Sequence, residues 1–434
     1  MKKIKMMMAA ALGVLVSCGS VKSGEEAIAA SRESKVVVAY VTSWSEVMPD
    51  PQYMTHINYA FGHVNESFNG VKIDNEERLR QIVDLRKQKP ELKVLLSIGG
   101  WGSGRFSEMA ANDEYRRAFA ADCDRVVKEF ALDGIDIDWE YPTSSMANIS
   151  SSPDDTENFT LLMQDIRAAI GNEKELTLAT VASARYIDFK AILPSVDFVN
   201  IMAYDMASAP KHHSALYPSG HSGDITSDGA VTAHLKAGVP PSKLVMGMPF
   251  YGRGGDGYPS FQDYNKVGNT DTQYTEKWDE VAQVPYLADK NDTLVFGFEN
   301  PRSLAIKCQY ILDKDLLGGM YWDYSGDNEQ GDLRRTVAEN LLGKPHKAKV
   351  LVLTERGGQH GGFTDAGLRW LAAEGAKGNF SITEINNARN ITEAYLSQFS
   401  LVIQLDFPPY TWPKEAEDAF VKYIDCLLYT SDAA

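Results

Sequence analysis

The sequence contains little cysteine, with four residues in a chain of 434. Their spacing matches no metal-binding set, and four scattered cysteines make no disulfide framework. Cys123 and Cys308 lie in helix-like stretches, where we expect them to be buried as small apolar side chains. The sequence therefore predicts no metal and no other cofactor.

Positive charge is also scarce, because 43 Lys and Arg residues face 59 Asp and Glu residues, for a formal net charge of −16. Binding to a phosphate backbone needs clustered Lys and Arg, so this balance argues against a nucleic-acid partner. It places no restriction on an uncharged ligand. With 44% hydrophobic and 10% aromatic residues, the composition is typical of a globular protein.

A long apolar run is missing as well. The apolar run from Met6 to Val16 is too short to span a bilayer as a helix, but it follows three lysines and fits the core of a signal peptide. The next residues, "LVSC" from Leu15 to Cys18, resemble the lipobox of bacterial lipoproteins. This resemblance predicts a signal peptide over 1–18, lipidation of Cys18, a tether over 19–33, and an exported protein anchored to the bacterial cell envelope. An ordinary cleaved signal peptide is the alternative.

Eight short β-type runs are present, and most of them are continuously apolar. Continuous apolar runs suit parallel strands that are covered on both faces. Amphipathic helical patterns such as 76–88 and 156–170 separate several of them. The alternation predicts an α/β fold, a (β/α)8 barrel over 34–343, with a doubly wound open sheet as the alternative. The predicted strands are 35–41, 56–62, 93–99, 134–140, 176–182, 197–204, 243–250 and 318–324.

The fourth run continues into an acidic stretch, "DGIDIDWEYP", residues 133–142. Residues two apart on a strand face the same way, so Asp136, Asp138 and Glu140 share one side, with Cα atoms about 7 Å apart, while Asp133 belongs to the strand's entry. Neighbouring carboxyls cannot all ionise cheaply, and one pKa is pushed up. Glu140, at the C-terminal end, is therefore the candidate general acid. A solvated acidic face or a cation site is the alternative.

The pattern Asp-x-x-Asp-x-Asp-x-Glu, complete at 133–140, resembles the signature of glycoside hydrolase family 18, the chitinase family. Four further segments resemble landmarks of that family, as does Trp322 in the last strand. The resemblance covers roughly 35–343. The segments are "SIGGW" at 97–101, "MAYD" at 202–205, "HHSALY" at 212–217 and "PFYGR" at 249–253.

The resemblance implies substrate-assisted hydrolysis with retention of configuration. Glu140 would protonate the glycosidic oxygen, while the substrate's own 2-acetamido oxygen attacks the anomeric carbon. Asp138 would orient the acetamido N–H, and Asp136 would be the charge partner beneath Asp138. Tyr204 and Asp205 would hydrogen-bond the acetamido group or the distorted sugar.

Further residues match family positions that line a sugar-binding cleft. Trp322 would form the apolar floor under the distorted sugar, whereas Met202 fits barrel packing equally well. The other implied binding residues are Tyr40, Phe61, Trp101, Tyr251 and Arg253. A segment at about 254–317, longer than a simple crossover, resembles an insertion that walls one side of the cleft.

A second α/β pattern follows the barrel over 348–425 and predicts the start of a doubly wound domain. Its "ERGGQHGGF" segment, 355–363, resembles the trehalose-utilisation-type domain, related in fold to glutamine amidotransferases. About eighty residues are too few for that whole domain. The last stretch, "CLLYTSDAA" at 426–434, resembles translated sequencing-adapter read-through and is expected to be non-native.

The sequence thus predicts a retaining glycosidase that hydrolyses β-1,4 bonds after N-acetylglucosamine, with chitin or chitooligosaccharides as the partner. The alternative with the same reaction chemistry but a different substrate is an endo-β-N-acetylglucosaminidase that cleaves the chitobiose core of N-glycans. A carbohydrate-binding protein without turnover is the alternative from another class.

Overall fold

The computed structural model describes residues 35–255, 258–267, 274–343, 348–354, 361–375, 380–389, 391–396, 399, 401–405 and 412–431. The chain divides into two compact units, Met1–Gly343 and Lys344–Ala434. The predicted signal peptide, Cys18 and the tether lie outside the described residues, as does most of "GGQHGG". In the part that is described, we find no helix with the length and apolar character needed to cross a bilayer.

Strands and helices alternate along the first unit. Its strands are β1 Val36–Thr42, β2 His56–Val64, β3 Val71–Ile73, β4 Lys93–Gly99, β5 Gly134–Asp138, β6 Glu175–Val181, β7 Phe198–Met202, β8 Leu244–Pro249, β9 Tyr251–Gly254, β10 Gln262–Asp263, β11 Thr275–Asp279, β12 Val284–Ala288, β13 Leu294–Gly297 and β14 Gly318–Trp322. Its helices are α1 Glu76–Val83, α2 Phe106–Ala111, α3 Asp113–Glu129, α4 Asp155–Ile170, α5 Phe189–Ile192, α6 Ser227–Lys236, α7 Pro301–Asp313 and α8 Asp332–Leu342.

Eight of these strands close into a parallel barrel. They pair in the order β1, β2, β4, β5, β6, β7, β8 and β14, and β14 pairs with β1 to complete the ring. Short β3 adds antiparallel to β2 outside the ring. The (β/α)8 prediction is confirmed, and an open doubly wound sheet is excluded because the first and last strands are hydrogen-bonded to each other.

Burial explains why the apolar runs become strands. Val37, Ile57, Leu96 and Ile135 have no exposed surface. Burying one such side chain contributes about 1.5–3 kcal/mol. The helices contribute their apolar faces to the same core, as Leu79 of α1 does. The predicted helix over 76–88 ends as an α-helix at Val83 and continues as a 3-10 turn, Asp84–Lys87.

The insertion between β8 and β14 is a separate antiparallel sheet of five strands, in the order β10, β9, β13, β12 and β11. It occupies 251–297, so the predicted range of about 254–317 begins three residues late and extends too far. The remainder of that range contains α7, which packs into the barrel core through Leu304, Cys308 and Ile311. Asn300 caps α7, and its side chain accepts from the Ser303 backbone N–H at 3.0 Å.

The second unit contains a parallel sheet of β15 Ala348–Thr354, β16 Phe380–Ile385 and β17 Leu401–Leu405, with β15 in the middle. Its helices are α9 Gly361–Glu374, α10 Glu393–Leu396 and α11 Lys414–Ser431. The alternation is the predicted start of a doubly wound fold. Helix α11 continues past residue 425 into the segment that we expect to be non-native.

Candidate active site

The acidic stretch forms β5 and the turn that follows it. Asp136 and Asp138 are buried on β5, and Glu140 lies two residues past the strand's C-terminal end. Asp133 lies at the opposite end of the strand, where it accepts a hydrogen bond from the Val94 backbone N–H at 2.7 Å and pairs with Arg86. The predicted separation of Asp133 from the other three acids is therefore correct.

Asp136 is held by donors from four other strands. Its Oδ2 accepts from the Tyr40 hydroxyl at 2.9 Å and from Ser97 at 2.8 Å. Its Oδ1 accepts from Thr177 at 2.6 Å and from the Asn200 amide at 3.3 Å. Burial raises the pKa of Asp136, and these hydrogen bonds oppose the rise by stabilising the carboxylate. The result is a carboxyl fixed in place at the centre of the barrel.

Asp138 and Glu140 are less fully held. Burial raises the pKa of Asp138 well above its usual value, and the charges of Glu140 and Asp136 act in the same direction. Burial also raises the pKa of Glu140 to about 7; the Tyr141 hydroxyl opposes this rise, and the Asp205 charge supports it. Among the described residues, Asp138 Oδ1 has no hydrogen-bond partner. The pair thus offers a protonated carboxyl near neutral pH beside an acceptor that is available to a ligand.

Asp205 is an anion clamped by its neighbours. Arg253 donates from Nε to Oδ1 at 2.7 Å and from Nη2 to Oδ2, and the Tyr251 hydroxyl donates to Oδ1 at 2.9 Å. Burial alone would raise the pKa of Asp205, but the Arg253 and His213 partners hold it well below its usual range. Tyr204, beside it, packs edge-on against Tyr251 with ring centroids 6.0 Å apart.

Aromatic rings cover one side of the barrel mouth. Trp322, at the end of β14, stacks on Phe61 at 5.6 Å and an interplanar angle of 21°, and contacts Tyr40 at 5.7 Å. Trp44 adds to this group, with its ring 6.5 Å from Trp322, although 63% of its surface is exposed. We call Trp44, Phe61, Tyr40 and Trp322 the aromatic floor. Such rings are suited to stacking on the apolar faces of a bound ring.

Two further predicted binding residues, Trp101 and Met202, have different surroundings. Trp101 is 62% exposed on the loop after β4 and makes no ring contact with the aromatic floor among the described residues. Met202, at the end of β7, packs against the apolar cluster inside the barrel that contains Val38 and Phe198 and also Tyr40, Phe61 and Trp322 of the aromatic floor. These contacts are compatible both with barrel packing and with a place beside a bound sugar.

The sequence reasoning missed several residues of the site. Thr177 and Asn200 hold Asp136, and each is a polar residue inside a largely apolar run, which is the signal that could have identified them. The ring of Tyr141, next to Glu140, stacks on that of Tyr186 in the loop after β6, with ring centroids 5.4 Å apart. Trp44 gave no signal, because a single exposed tryptophan in a loop has no pattern.

We find no cluster of three or more His, Cys, Asp or Glu side chains arranged to hold a metal within the described ranges. The paired histidines of "HHSALY" have other surroundings. His212 Nε2 lies 3.2 Å from Asp279 of the insertion, and burial lowers the pKa of His212 to about 4. His213 is buried beside Asp205.

Comparison with known proteins agrees with this geometry. Residues 36–327 match the family model of the glycosyl hydrolases family 18. The chain is 29% identical over 413 residues to chitinase A1 of Niallia circulans, aligning 70% of this chain with 58% of that protein. It is 31% identical over 350 residues to chitotriosidase-1 of Mus musculus, aligning 68% of this chain with 74% of that protein.

Solved structures give the same result. A glycoside hydrolase family 18 N-acetylglucosaminidase from Paenibacillus barengoltzii superposes with a TM-score of 0.66 at 32% identity, over 71% of this chain and 100% of that one. The multi-modular, cell-surface-expressed chitinase ChiW of a Paenibacillus strain superposes with a TM-score of 0.65 at 29% identity, over 74% of this chain and 45% of that one. The family-model match ends at 327, within the barrel unit.

Proposed function

This chain belongs to glycosyl hydrolases family 18 and is a glycoside hydrolase of the chitinase type, and we propose that its barrel hydrolyses β-1,4 bonds after N-acetylglucosamine in chitin or chitooligosaccharides. One observation carries this proposal. Asp136, Asp138 and Glu140 follow one another from the centre of a closed barrel to its C-terminal mouth, and the outermost of them has a pKa of about 7.

Glu140 is the general acid of the proposed reaction. Its carboxyl is protonated through much of the neutral range, and it lies at the mouth of the barrel, where a substrate has access. It protonates the glycosidic oxygen as the bond to the anomeric carbon breaks. After the leaving sugar departs, the same carboxylate accepts a proton from the incoming water.

Asp138 acts on the substrate's acetamido group. The attacking nucleophile is the 2-acetamido oxygen of the substrate, so the protein needs no second nucleophilic carboxylate. Asp138 accepts a hydrogen bond from the acetamido N–H and stabilises the positive charge of the cyclic intermediate. Asp136, fixed by its four donors, supplies negative charge beneath Asp138 without leaving its position.

The remaining predicted residues bind and orient the sugar. Burial raises the pKa of Tyr204, which also lies close enough to Asp138, Glu140 and Asp205 for their charges to raise it further. Tyr204 and Asp205 therefore offer a hydroxyl and a carboxylate to the acetamido group or to the distorted ring. Trp322 lies beneath that ring as part of the aromatic floor. Because the acetamido oxygen attacks from the face opposite the leaving sugar and the water then attacks from the face opposite the acetamido oxygen, the two inversions leave the product in the β configuration.

The test is product analysis with the mature protein on chitopentaose and, in parallel, on a high-mannose glycoprotein. We expect chitopentaose to be cleaved to initially β-anomeric products, seen by proton NMR, and Glu140→Gln to lose this activity. Glu339→Gln on α8 is the matched control. Burial also raises the pKa of Glu339 to about 7, but this residue is not one of the three acids Asp136, Asp138 and Glu140.

The glycoprotein arm distinguishes the two substrates. Release of intact glycans, without cleavage of chitopentaose, would replace chitin by the chitobiose core of N-glycans and leave the mechanism intact. Sugar binding without hydrolysis of either substrate would mean a carbohydrate-binding protein and would overturn the enzymatic proposal.

We also propose that the protein is exported and anchored through a lipid on Cys18. The support is the order of charge, apolar run and "LVSC" at the N-terminus. Metabolic labelling with a fatty-acid analogue should mark the parent and fail to mark Cys18→Ala. For the second unit, the proposal stays a partial trehalose-utilisation-type domain, supported by its parallel three-stranded sheet.

A further inference from the structure

The loop between β7 and α6 passes close to the clamped anion Asp205, and it is fixed on both sides of one residue. His212 is tied to Asp279 of the insertion at 3.2 Å, and its backbone N–H donates to the His221 carbonyl at 2.7 Å. On the other side, the Ser214 hydroxyl donates to Glu299 at 2.6 Å. The residue between them, His213, therefore has little freedom to move.

A buried ion pair strengthens the second attachment. Lys307 of α7 contacts both the Ser214 carbonyl and the Glu299 carboxylate, and the side chains of Lys307 and Glu299 have no exposed surface. A charge that is buried without its partner is costly, so this pair cannot separate easily. The attachment of Ser214 is consequently rigid.

His213 is directed into the active site by these anchors. Its side chain is fully buried, its ring centroid is 5.3 Å from that of Tyr251, and its Nδ1 lies 3.6 Å from Asp205 Oδ1. Within the part of the chain that the structure describes, neither ring nitrogen has a hydrogen-bond partner. A buried polar group without a partner costs about 1–3 kcal/mol, so an imidazole kept here needs a reason.

The neighbouring Asp205 explains why a buried imidazole is kept at this position. Its φ of 55° lies in the left-handed region, which residues other than glycine adopt infrequently, so hydrogen bonds around this turn help to hold it. The Met206 backbone N–H donates to the His213 carbonyl at 3.0 Å, so the backbone of His213 already supports this turn. The side chain of the same histidine faces the Asp205 carboxylate.

We propose that His213 is a positioning residue for the hydrolysis, which donates from Nδ1 to Asp205 and keeps that carboxylate turned toward the substrate's acetamido group. The inference rests on the proposed function of the barrel. Catalytic hydrogen bonds are often long without substrate and tighten when it binds, and the 3.6 Å separation leaves a small distance to close.

The electrostatic surroundings add a measurable consequence. His213 is faced by Asp205, by Tyr251, by Arg253 through Asp205, and by neighbouring His212. Burial is the main cause of the raised pKa of Glu140, and the Asp205 charge adds to it. If Asp205 turns away after loss of the imidazole, Glu140 loses part of that support, and the basic limb of the activity profile moves to lower pH.

The experiment compares three substitutions of His213. His213→Asn keeps a donor where Nδ1 lies, His213→Gln moves the donor to the position of Nε2, and His213→Leu removes it. The control is His234→Asn on α6, another fully buried histidine, which packs on Phe189 and lies outside the site. The kcat and KM on chitopentaose are measured against pH, and thermal unfolding is measured for each variant.

We expect His213→Leu and His213→Gln to lower kcat about tenfold or more, with the basic limb shifted to lower pH, and His213→Asn to keep most of the parent's kcat. In an Asp205→Asn background, the His213 substitutions should add no further loss. Equal losses for Asn, Gln and Leu that follow only the unfolding temperature would overturn the positioning role, as would losses that add fully to that of Asp205→Asn. An inactive parent would instead overturn the proposed function.

Discussion

The Tyr40 hydroxyl donates a 2.9 Å hydrogen bond to Asp136 Oδ2, and both side chains are buried within the barrel. The first strand thereby holds a carboxyl of the fourth strand of the ring across the barrel interior. The ring of the same tyrosine lies 5.7 Å from Trp322, so one side chain joins the acidic group to the aromatic floor. A substitution of Tyr40 should therefore affect both the hydrolysis step and the binding of a sugar ring to the aromatic floor.

The first prediction concerns that hydrogen bond. Tyr40→Phe keeps the ring and removes a donor to a buried carboxylate, a bond worth about 1.5–3 kcal/mol. We expect kcat on chitopentaose to fall about ten- to a hundredfold while the aromatic contact with Trp322 is kept. Tyr321→Phe is the control, because the hydroxyl of buried Tyr321 has no hydrogen-bond partner among the described residues. Equal activities for the two variants would contradict the role given to the Tyr40 hydroxyl.

The second prediction is the pH dependence of activity. Since a general acid must be protonated and burial raises the pKa of Glu140 to about 7, kcat/KM should fall about tenfold per pH unit above that value. Glu339→Gln should show the same profile, although the pKa of Glu339 is also near 7. Initial rates between pH 4 and pH 9 provide the measurement. A profile that stays level to pH 9 would exclude Glu140 as the acid.

The third prediction concerns stability and follows from the same shift. A carboxyl whose pKa is raised from 4.5 to about 7 on folding contributes stability below pH 4.5, and this contribution is lost as the pH rises through 7. The Glu140→Gln variant has no titrating carboxyl at this position, so its stability does not fall in this way as the pH rises. Its free energy of unfolding, relative to that of the parent, should therefore increase by about 3 kcal/mol between pH 4 and pH 8. Urea unfolding at both pH values tests this, and a constant difference would refute it.

The fourth prediction concerns the buried pair behind the His213 loop. Lys307→Met leaves Glu299 as an unpaired buried charge, which should cost about 3–5 kcal/mol in the free energy of unfolding. Combining it with Glu299→Leu should recover most of this loss, because no buried charge then remains. Lys128→Met, at an exposed pair with Asp124, should cost less than about 1 kcal/mol. A double variant as unstable as Lys307→Met would contradict this explanation.

The fifth prediction concerns Trp44, which the sequence did not indicate. Because its ring extends the aromatic floor toward solvent, Trp44→Ala should raise the KM for chitopentaose several-fold and change kcat little. Trp370→Ala in the second unit is the matched control, since both tryptophans are 63% exposed. The two KM values are compared under identical conditions. An unchanged KM for Trp44→Ala would place the sugar elsewhere.

Much of the architecture follows from local pattern. The apolar run at 93–99 is a barrel strand with the bounds that the sequence predicts, because a strand covered on both faces must be apolar throughout. The period of two along a strand likewise separates Asp133 from Asp136 and Asp138 without any structure. The insertion was harder to delimit, since helix α7, which follows it in the predicted range, belongs to the barrel core and has the same amphipathic pattern as the other barrel helices.

The sequence by itself determined the fold class and the carboxyl triplet, because strand periodicity and the spacing of the acids are local properties. Tertiary structure decided which residues serve those carboxyls. Thr177, Asn200 and His213 come from strands and a loop that closure of the barrel brings to Asp136 and Asp205. The pKa of about 7 at Glu140 also belongs to the folded chain, because desolvation depends on neighbours that are distant in sequence.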